Sequence, residues 1–269
     1  MAAPRRVLLV SIDGLRPDGL QQAQTPHLDR LIARGAVHWT VRSVMPSATL
    51  PCHTSMFRSV LPERHGITTN RFTPLVRPVP SVTDVVHRAG RPTAAFYNWE
   101  ELRDLSDPGS LNAAFFWRNC YVPEGDHVVA DWAARFLTEH EVHFAFLYLG
   151  HVDVAGHNFG WMSPEYLQAV HNADAALGTV LEALEEIDLL EETAVLVLSD
   201  HGGHERTHGT DAPEDMTVPL VAAGPGVRTG GVELKEPASL LNVAPTVTAL
   251  LGIAPAQEWD GQPLTEMLA

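Results

Sequence analysis

The sequence predicts an α/β fold: a three-layer α/β/α sandwich, with helices on both faces of a mostly parallel central sheet. Three observations carry that reading. Residues 7–12 (VLLVSI), 142–149 (VHFAFLYL) and 194–199 (AVLVLS) are short, nearly continuous apolar runs, as strands buried on both faces are. Segments of helical period alternate with them, the pattern of helices packed on a parallel sheet. Each run is followed closely by an aspartate, and open α/β sheets place their chemistry at the carboxyl ends of strands.

The remaining elements follow in order. Residues 26–35 read as a helix with Leu28, Leu31 and Ile32 as its apolar stripe and Gly35 as its stop. Residues 36–44 suggest a strand. Residues 49–60 suggest a helix opening near Pro51, which a first turn tolerates. Pro74, Pro78 and Pro80 make 71–80 a loop. A helix over 81–89 and a strand over 93–97 come next. Residues 98–125 have no single period and concentrate Trp99, Phe115, Phe116, Trp117 and Tyr121. They read either as an insertion covering the active face or as local packing under a long loop. Residues 127–138 suit a helix. A longer one over 164–187 has Pro164 near its start and Leu167, Val170, Leu177, Val180, Leu181 and Leu184 at helical spacing. A strand over 217–222 precedes a Gly/Pro turn, and a last helix over 239–251 ends at Gly252. No repeat is present, and residues 1–269 read as one domain.

Composition narrows the function. The chain has 269 residues, 45% hydrophobic and 19% charged, which suits a globular protein and not a disordered one. The formal net charge of −15 repels nucleic acid polymers and anionic membranes. An anionic substrate remains compatible, because bound cations invert the local sign. Cys52 and Cys120 are the two cysteines, with neither a CxxC pair nor a disulfide framework. The first apolar run is too short for a membrane span and lacks a signal-peptide pattern. The expectation is a cytoplasmic, acidic, enzyme-sized domain.

The specific signal lies at the strand ends. Asp13 follows the first strand, Asp153 the strand at 142–149, and Asp200 the strand at 194–199. Asp153 and His157 form a D-x-x-x-H pair, which shares a face if the chain turns helically. Asp200 and His201 are adjacent, followed by Gly202, Gly203, His204 and His208; the two glycines permit a bend and a close backbone approach. Carboxylates converging on one sheet edge repel without a counter-charge. Carboxylates with imidazoles suit Zn²⁺ or Mn²⁺, and the histidine content favours Zn²⁺. A nucleophile is offered by residues 45–54, MPSATLPCHT. Thr49 near a helix N-terminus could have its alkoxide stabilised by the dipole and a metal. From residue types alone, Thr49, Ser47 and Cys52 stay open.

The segments LVSIDGLRPD (9–18), PSATLPCHTS (46–55), LPERHGITTN (61–70), YLGHVDVAGH (148–157) and LSDHGGHERTHG (198–209) resemble the alkaline phosphatase superfamily, in its nucleotide pyrophosphatase/phosphodiesterase branch. The matching order runs from residue 9 to about residue 226. The resemblance implies an alkaline-phosphatase-like metallohydrolase domain with two divalent ions, Zn²⁺ first and Mn²⁺ as the alternative, flanking a threonine or serine nucleophile. Asp13, Thr49, Asp200 and His201 would surround one ion; Asp153, His157 and a later histidine would hold the other. His208 resembles that last ligand, with His204 as the rival. Larger family members take it from much further downstream, but no histidine follows residue 208 here. Asn70 resembles the family's donor to a non-bridging phosphoryl oxygen.

The implied reaction is hydrolysis of a phosphate diester through a phosphothreonine on Thr49. Three carboxylates, one alkoxide and two divalent ions sum to about zero, so a monoanionic diester approaches without large repulsion. The implied partner is a small-molecule phosphate ester, a nucleotide among the candidates; a nucleotide would want an aromatic clamp such as Phe72 or Trp99, and either residue also reads as core. Sulfatases fit less well, because the C-x-P-x-R signature is not matched after Cys52. Classical phosphomonoesterases place an arginine in the site, and cofactor-independent phosphoglycerate mutases carry a large inserted domain. A phosphonate hydrolase acting on a carboxylated substrate would need a cation such as Arg16, Arg71, Arg103 or Arg118. A module that binds metal or nucleotide without turnover is the non-enzymatic alternative.

Overall fold

A computed structural model describes residues 5–71, 73–74 and 78–269. Phe72 lies outside the described residues. Among the described residues eight strands form one sheet: β1 (Arg6–Ile12), β2 (Ala36–Arg42), β3 (Thr93–Tyr97), β4 (Ala113–Phe116), β5 (Phe144–Leu149), β6 (Thr193–Leu198), β7 (Thr217–Ala223) and β8 (Val232–Glu233). Their order is β4-β3-β5-β1-β6-β7-β2-β8. Only β7 runs against the others, pairing antiparallel with β6 and with β2. The sheet is therefore mostly parallel, as its unbroken apolar runs require.

The helices are α1 (Pro17–Gln22), α2 (Pro26–Arg34), α3 (Thr49–Arg58), α4 (Pro62–His65), α5 (Val82–Arg88), α6 (Glu124–Glu139), α7 (His151–Phe159), α8 (Pro164–Glu186), α9 (Pro213–Met216) and α10 (Val243–Leu250). The local sequence explains their ends. Pro26 and Pro164 open α2 and α8 at positions where no N–H is needed. Ser81 and Asp84 close a reciprocal capping box on α5.

Alternation along β1 separates two cores. Val7 and Leu9 face Met56 and Phe57 of α3, Val82 and Val86 of α5 and Val247 of α10. Leu8 and Val10 face Ala130 and Ala133 of α6 and Val170 and Leu177 of α8. The result is the expected three layers. Residues 98–125 hold an edge strand, β4, that their lack of period concealed; Phe115 stacks on Phe96 there. Among the described residues no helix is long and apolar enough to cross a membrane.

Because β5, β1 and β6 are neighbours and parallel, their carboxyl ends open onto one edge. The helix leaving β5 there is capped from another element. Gly150 has no side chain to cap α7, and Asp126 of α6 supplies the acceptor. Its Oδ1 takes the Gly150 N–H at 2.9 Å and its Oδ2 the His151 N–H at 3.3 Å. Asn98, just past β3, donates to the same carboxylate at 2.7 Å. Burial pushes the Asp126 carboxyl up to about 7. Asp126→Ala leaves buried N–H groups without an acceptor and should cost about 1–3 kcal/mol in urea unfolding; an unchanged midpoint would contradict this capping role.

Candidate metal centre

Each acidic residue singled out at a strand end sits on this edge. Asp13, just past β1, is 1% exposed, and Tyr148 of β5 donates its hydroxyl to Oδ2. Asp200, just past β6, is fully buried and accepts the Gly14 N–H on Oδ1. Asp153 and His157 lie one turn apart on α7, with His157 Nε2 3.5 Å from Asp153 Oδ2. The bend after Asp200 needs its glycines: a Cβ on Gly202 would lie 2.0 Å from the Glu214 carbonyl oxygen, and one on Gly203 2.2 Å from the Trp161 ring.

The histidines are oriented with one logic. His157 Nδ1 meets the Arg206 carbonyl at 3.0 Å, His201 Nδ1 the Gly202 carbonyl at 2.8 Å, and His208 Nδ1 the Ser47 carbonyl at 2.8 Å. A carbonyl only accepts, so each Nδ1 carries the proton and each Nε2 presents a lone pair. Those lone pairs face oxygens. His201 Nε2 lies 3.3 Å from Asp13 Oδ1 and 3.4 Å from Asp200 Oδ2. His208 Nε2 lies 3.6 Å from Asp153 Oδ1 and 3.1 Å from His157 Nε2. Asp13 Oδ1, Asp153 Oδ1 and Asp200 Oδ2 are buried and meet no hydrogen-bond donor among the described residues. Acceptors converging on acceptors, with their protons committed elsewhere, fit a cation. Among the described residues two groups meet the distance requirement for one: Asp153, His157 and His208, and Asp13, Asp153 and His201; Asp200, with its Oδ2 3.4 Å from His201 Nε2, falls in neither group.

His204 points elsewhere, its Nδ1–H donating to Asp215 at 2.7 Å. Of the three open nucleophile candidates, only Thr49 lines the cavity. It is the first residue of α3, with Oγ1 3.3 Å from His201 Nε2. The Ser47 hydroxyl is spent on the Thr210 carbonyl at 2.7 Å. Cys52 is buried beside Ser43, and burial pushes its thiol well up. Asn70 also lines the cavity; its Oδ1 accepts the Leu50 N–H at 2.9 Å, which leaves Nδ2 as a donor.

The cavity has a volume of about 310 Å³, and Trp99, Cys120 and Tyr121 from the two ends of 98–125 form part of its wall. Among the described residues no lysine or arginine lines it. Arg16 is held by Asp18 and the Gly203 carbonyl, Arg103 by Glu100 and Asp104, Arg118 sits 3.9 Å from Glu100, and Arg71 is exposed. A larger opening of about 760 Å³ is lined by Glu63, His65, Pro74, Val79 and Glu258 among others. Among the described residues no metal-ligand group lies there.

Sequence reasoning left two buried partners without a role. Tyr148 carries the only hydroxyl in the apolar run of β5, which was a readable signal. Burial and the neighbouring Asp13 keep it a phenol, able to donate. His53, one turn after Thr49, has Nδ1 on the Thr49 carbonyl and Nε2 on the Ser11 hydroxyl, both at 2.8 Å. Burial lowers it to about 4, so it stays neutral.

Comparison with known proteins follows the same lines. The family model for type I phosphodiesterase / nucleotide pyrophosphatase matches residues 7–217. The fold and the strand-end cluster thus have a family, and the chain belongs to it. The bovine bis(5'-adenosyl)-triphosphatase ENPP4 is 28% identical over 227 residues, covering 75% of this chain and 48% of that protein. The chain spans about half the length of such a relative. Human ectonucleotide pyrophosphatase / phosphodiesterase 5 shares the fold with a TM-score of 0.84 at 19% identity, covering 98% of this chain and 99% of that one. The murine protein, as an inactive threonine-to-alanine variant in complex with AMP, superposes with a TM-score of 0.82 at 18% identity, covering 98% and 100%.

Burial, then repulsion from Asp13, pushes the Asp153 and Asp200 carboxyls well above the usual range. An acid whose folded pKa lies above its unfolded value favours folding only while protonated. The metal-free chain should therefore lose stability as pH rises above about 4, and a divalent cation should restore it. His53 and His208, held below the ordinary imidazole range by burial, act with the opposite sign below about pH 6.5, so the check is thermal unfolding in chelator at about pH 7 and about pH 8, then with added Zn²⁺; no loss between the two pH values in chelator would contradict it.

Proposed function

We propose that the chain hydrolyses phosphodiester or phosphoanhydride bonds of small-molecule substrates of the nucleotide class, with Thr49 as nucleophile. Two divalent cations serve it, Zn²⁺ favoured by the imidazole-rich donor set and Mn²⁺ as the alternative. Asp13, Thr49, Asp200 and His201 hold one; Asp153, His157 and His208 hold the other. When bound, the cations offset the carboxylate charge and supply the Lewis-acid stabilisation of attacking and leaving oxygens.

The chain's own groups do the rest. Thr49 opens α3, where the free backbone N–H groups of a helix N-terminus favour an anionic oxygen. Its oxygen attacks phosphorus as the hydroxyl proton is lost to solvent, the bond to the leaving oxygen breaks and that oxygen is protonated, and a phosphothreonine that still carries the substrate's retained ester group results. Water then displaces the Thr49 oxygen, which regains a proton, and a phosphate monoester is released. Asn70 Nδ2 donates to an equatorial phosphoryl oxygen and counters charge that grows in the transition state. Tyr148 holds Asp13 in place from behind. The single observation that carries this reading is the meeting of three donor-free carboxylate oxygens and three Nε2 lone pairs beside the Thr49 hydroxyl. The relatives' names and the AMP complex of the murine structure support the substrate class.

The absence of lysine and arginine from the described cavity wall favours a singly charged diester over a dianionic monoester. With Zn²⁺ added, bis-p-nitrophenyl phosphate should be cleaved faster than p-nitrophenyl phosphate; the reverse ranking would favour a phosphomonoesterase. Thr49→Ala should keep the fold and bind metal but lose at least about 100-fold in turnover. Activity within about threefold of the parent would remove Thr49 as nucleophile.

A further inference from the structure

His204 is the imidazole of the His-rich segment that the cavity does not use. Its Nδ1–H donates to Asp215 Oδ1 at 2.7 Å. The other oxygen of that carboxylate accepts from Thr210 twice, from the backbone N–H at 2.9 Å and from the hydroxyl at 2.8 Å. Asp215 is fully buried, and its carbonyl accepts the Gly202 N–H at 2.8 Å. One carboxylate therefore fastens both ends of segment 204–210 to the turn that carries Asp200 and His201. His208 sits inside that segment. On its other side the segment meets Ser47, whose hydroxyl donates to the Thr210 carbonyl at 2.7 Å and whose carbonyl accepts His208 Nδ1–H at 2.8 Å. Ser47 lies two residues before Thr49.

We propose that His204 and Asp215 form a clamp that positions His208 against Asp153 and His157, so that His204 sets the affinity of the second cation without touching it. The proposal rests on the reading of His208 as a ligand of that cation. The need for a clamp is physical. Apart from a single bridge between His204 and Thr207, segment 204–210 has no helix or strand to stiffen it. A ligand must be held to within about 0.5 Å, and a loop does so only when its ends are fixed. Charge reinforces the contact. The hydrogen bond to Asp215 raises His204, and although burial works against the Asp215 charge, the bonds from His204 and Thr210 outweigh it and lower its pKa. The imidazolium–carboxylate form is the stronger kind of hydrogen bond.

The test is Zn²⁺ affinity, measured on chelator-stripped protein by competition with a chromophoric chelator, with circular dichroism as the check on folding. His204→Ala should still bind two ions, one of them about 10- to 100-fold more weakly. His204→Asn, whose side-chain N–H replaces the lost donor, should recover most of that. Thr210→Val removes one of the other bonds to Asp215 and should weaken the same ion. Unchanged affinity in both His204→Ala and Thr210→Val would overturn the clamp. So would complete loss of an ion in His204→Ala without recovery in His204→Asn, which would make His204 a ligand. His208→Ala tells the two readings apart. If it binds both ions as tightly as the parent, His208 is not a ligand. If it loses one ion while His204→Ala is unaffected, the clamp alone fails.

Discussion

Three carboxylates from distant parts of the chain share one buried edge of the sheet, and the rest of the site answers to their repulsion. Two like charges about 4 Å apart repel by about 4 kcal/mol at an effective dielectric near 20. Proteins commonly offset this with lysine or arginine. Here the described wall of the cavity holds neither, and Arg16 is turned away toward Asp18 and the Gly203 carbonyl. What arrives instead are three imidazoles that cannot donate from the nitrogen facing the acids, because each has committed its proton to a backbone carbonyl. The arrangement is unfavourable by itself and favourable around divalent cations.

The fold brings these groups together through strand order more than through local sequence. Adjacent, parallel β5, β1 and β6 put Asp153, Asp13 and Asp200 on one edge. The connection after β2 leads into α3 and sets Thr49 at its first residue. Behind these carboxylates and imidazoles stands a layer of hydrogen-bonded buried polar groups. Tyr148 holds Asp13, and Asp126 caps the helix that carries Asp153 and His157. His53 ties the first turn of α3 to β1 through Ser11. Charge repulsion concentrates at the centre and satisfied hydrogen bonds just outside it, the distribution expected where a site gives up some stability for function.

Much of this was legible in the sequence, for identifiable reasons. Strands buried on both faces have no alternation to blur them, so β1, β5 and β6 read directly as VLLVSI, VHFAFLYL and AVLVLS. Carboxylates at their ends and the D-x-x-x-H spacing on α7 pointed to the edge. The edge strand β4 was hidden because its four residues, Ala113–Phe116, are half-covered and its aromatics pack as well in a loop as in a sheet. The reversed direction of β7 was also hidden, since an apolar run carries no sign of its sense. At the site, residue types alone did not separate Thr49 from Ser47 and Cys52. What separates them is where each side chain is spent: Ser47 on Thr210, Cys52 on the core beside Ser43. His204 and His208 differ in the same way, one taken by Asp215 and the other aimed at Asp153.

We propose that this edge of the sheet is built around a pair of divalent ions. Crystals of Zn²⁺-loaded protein, with anomalous difference maps recorded on both sides of the zinc absorption edge, test it most directly. Two anomalous peaks are expected within bonding distance of the proposed ligands. One lies among Asp13, Thr49, Asp200 and His201, and the other among Asp153, His157 and His208. A well-ordered, fully loaded protein whose zinc peaks all lie away from these side chains would contradict it.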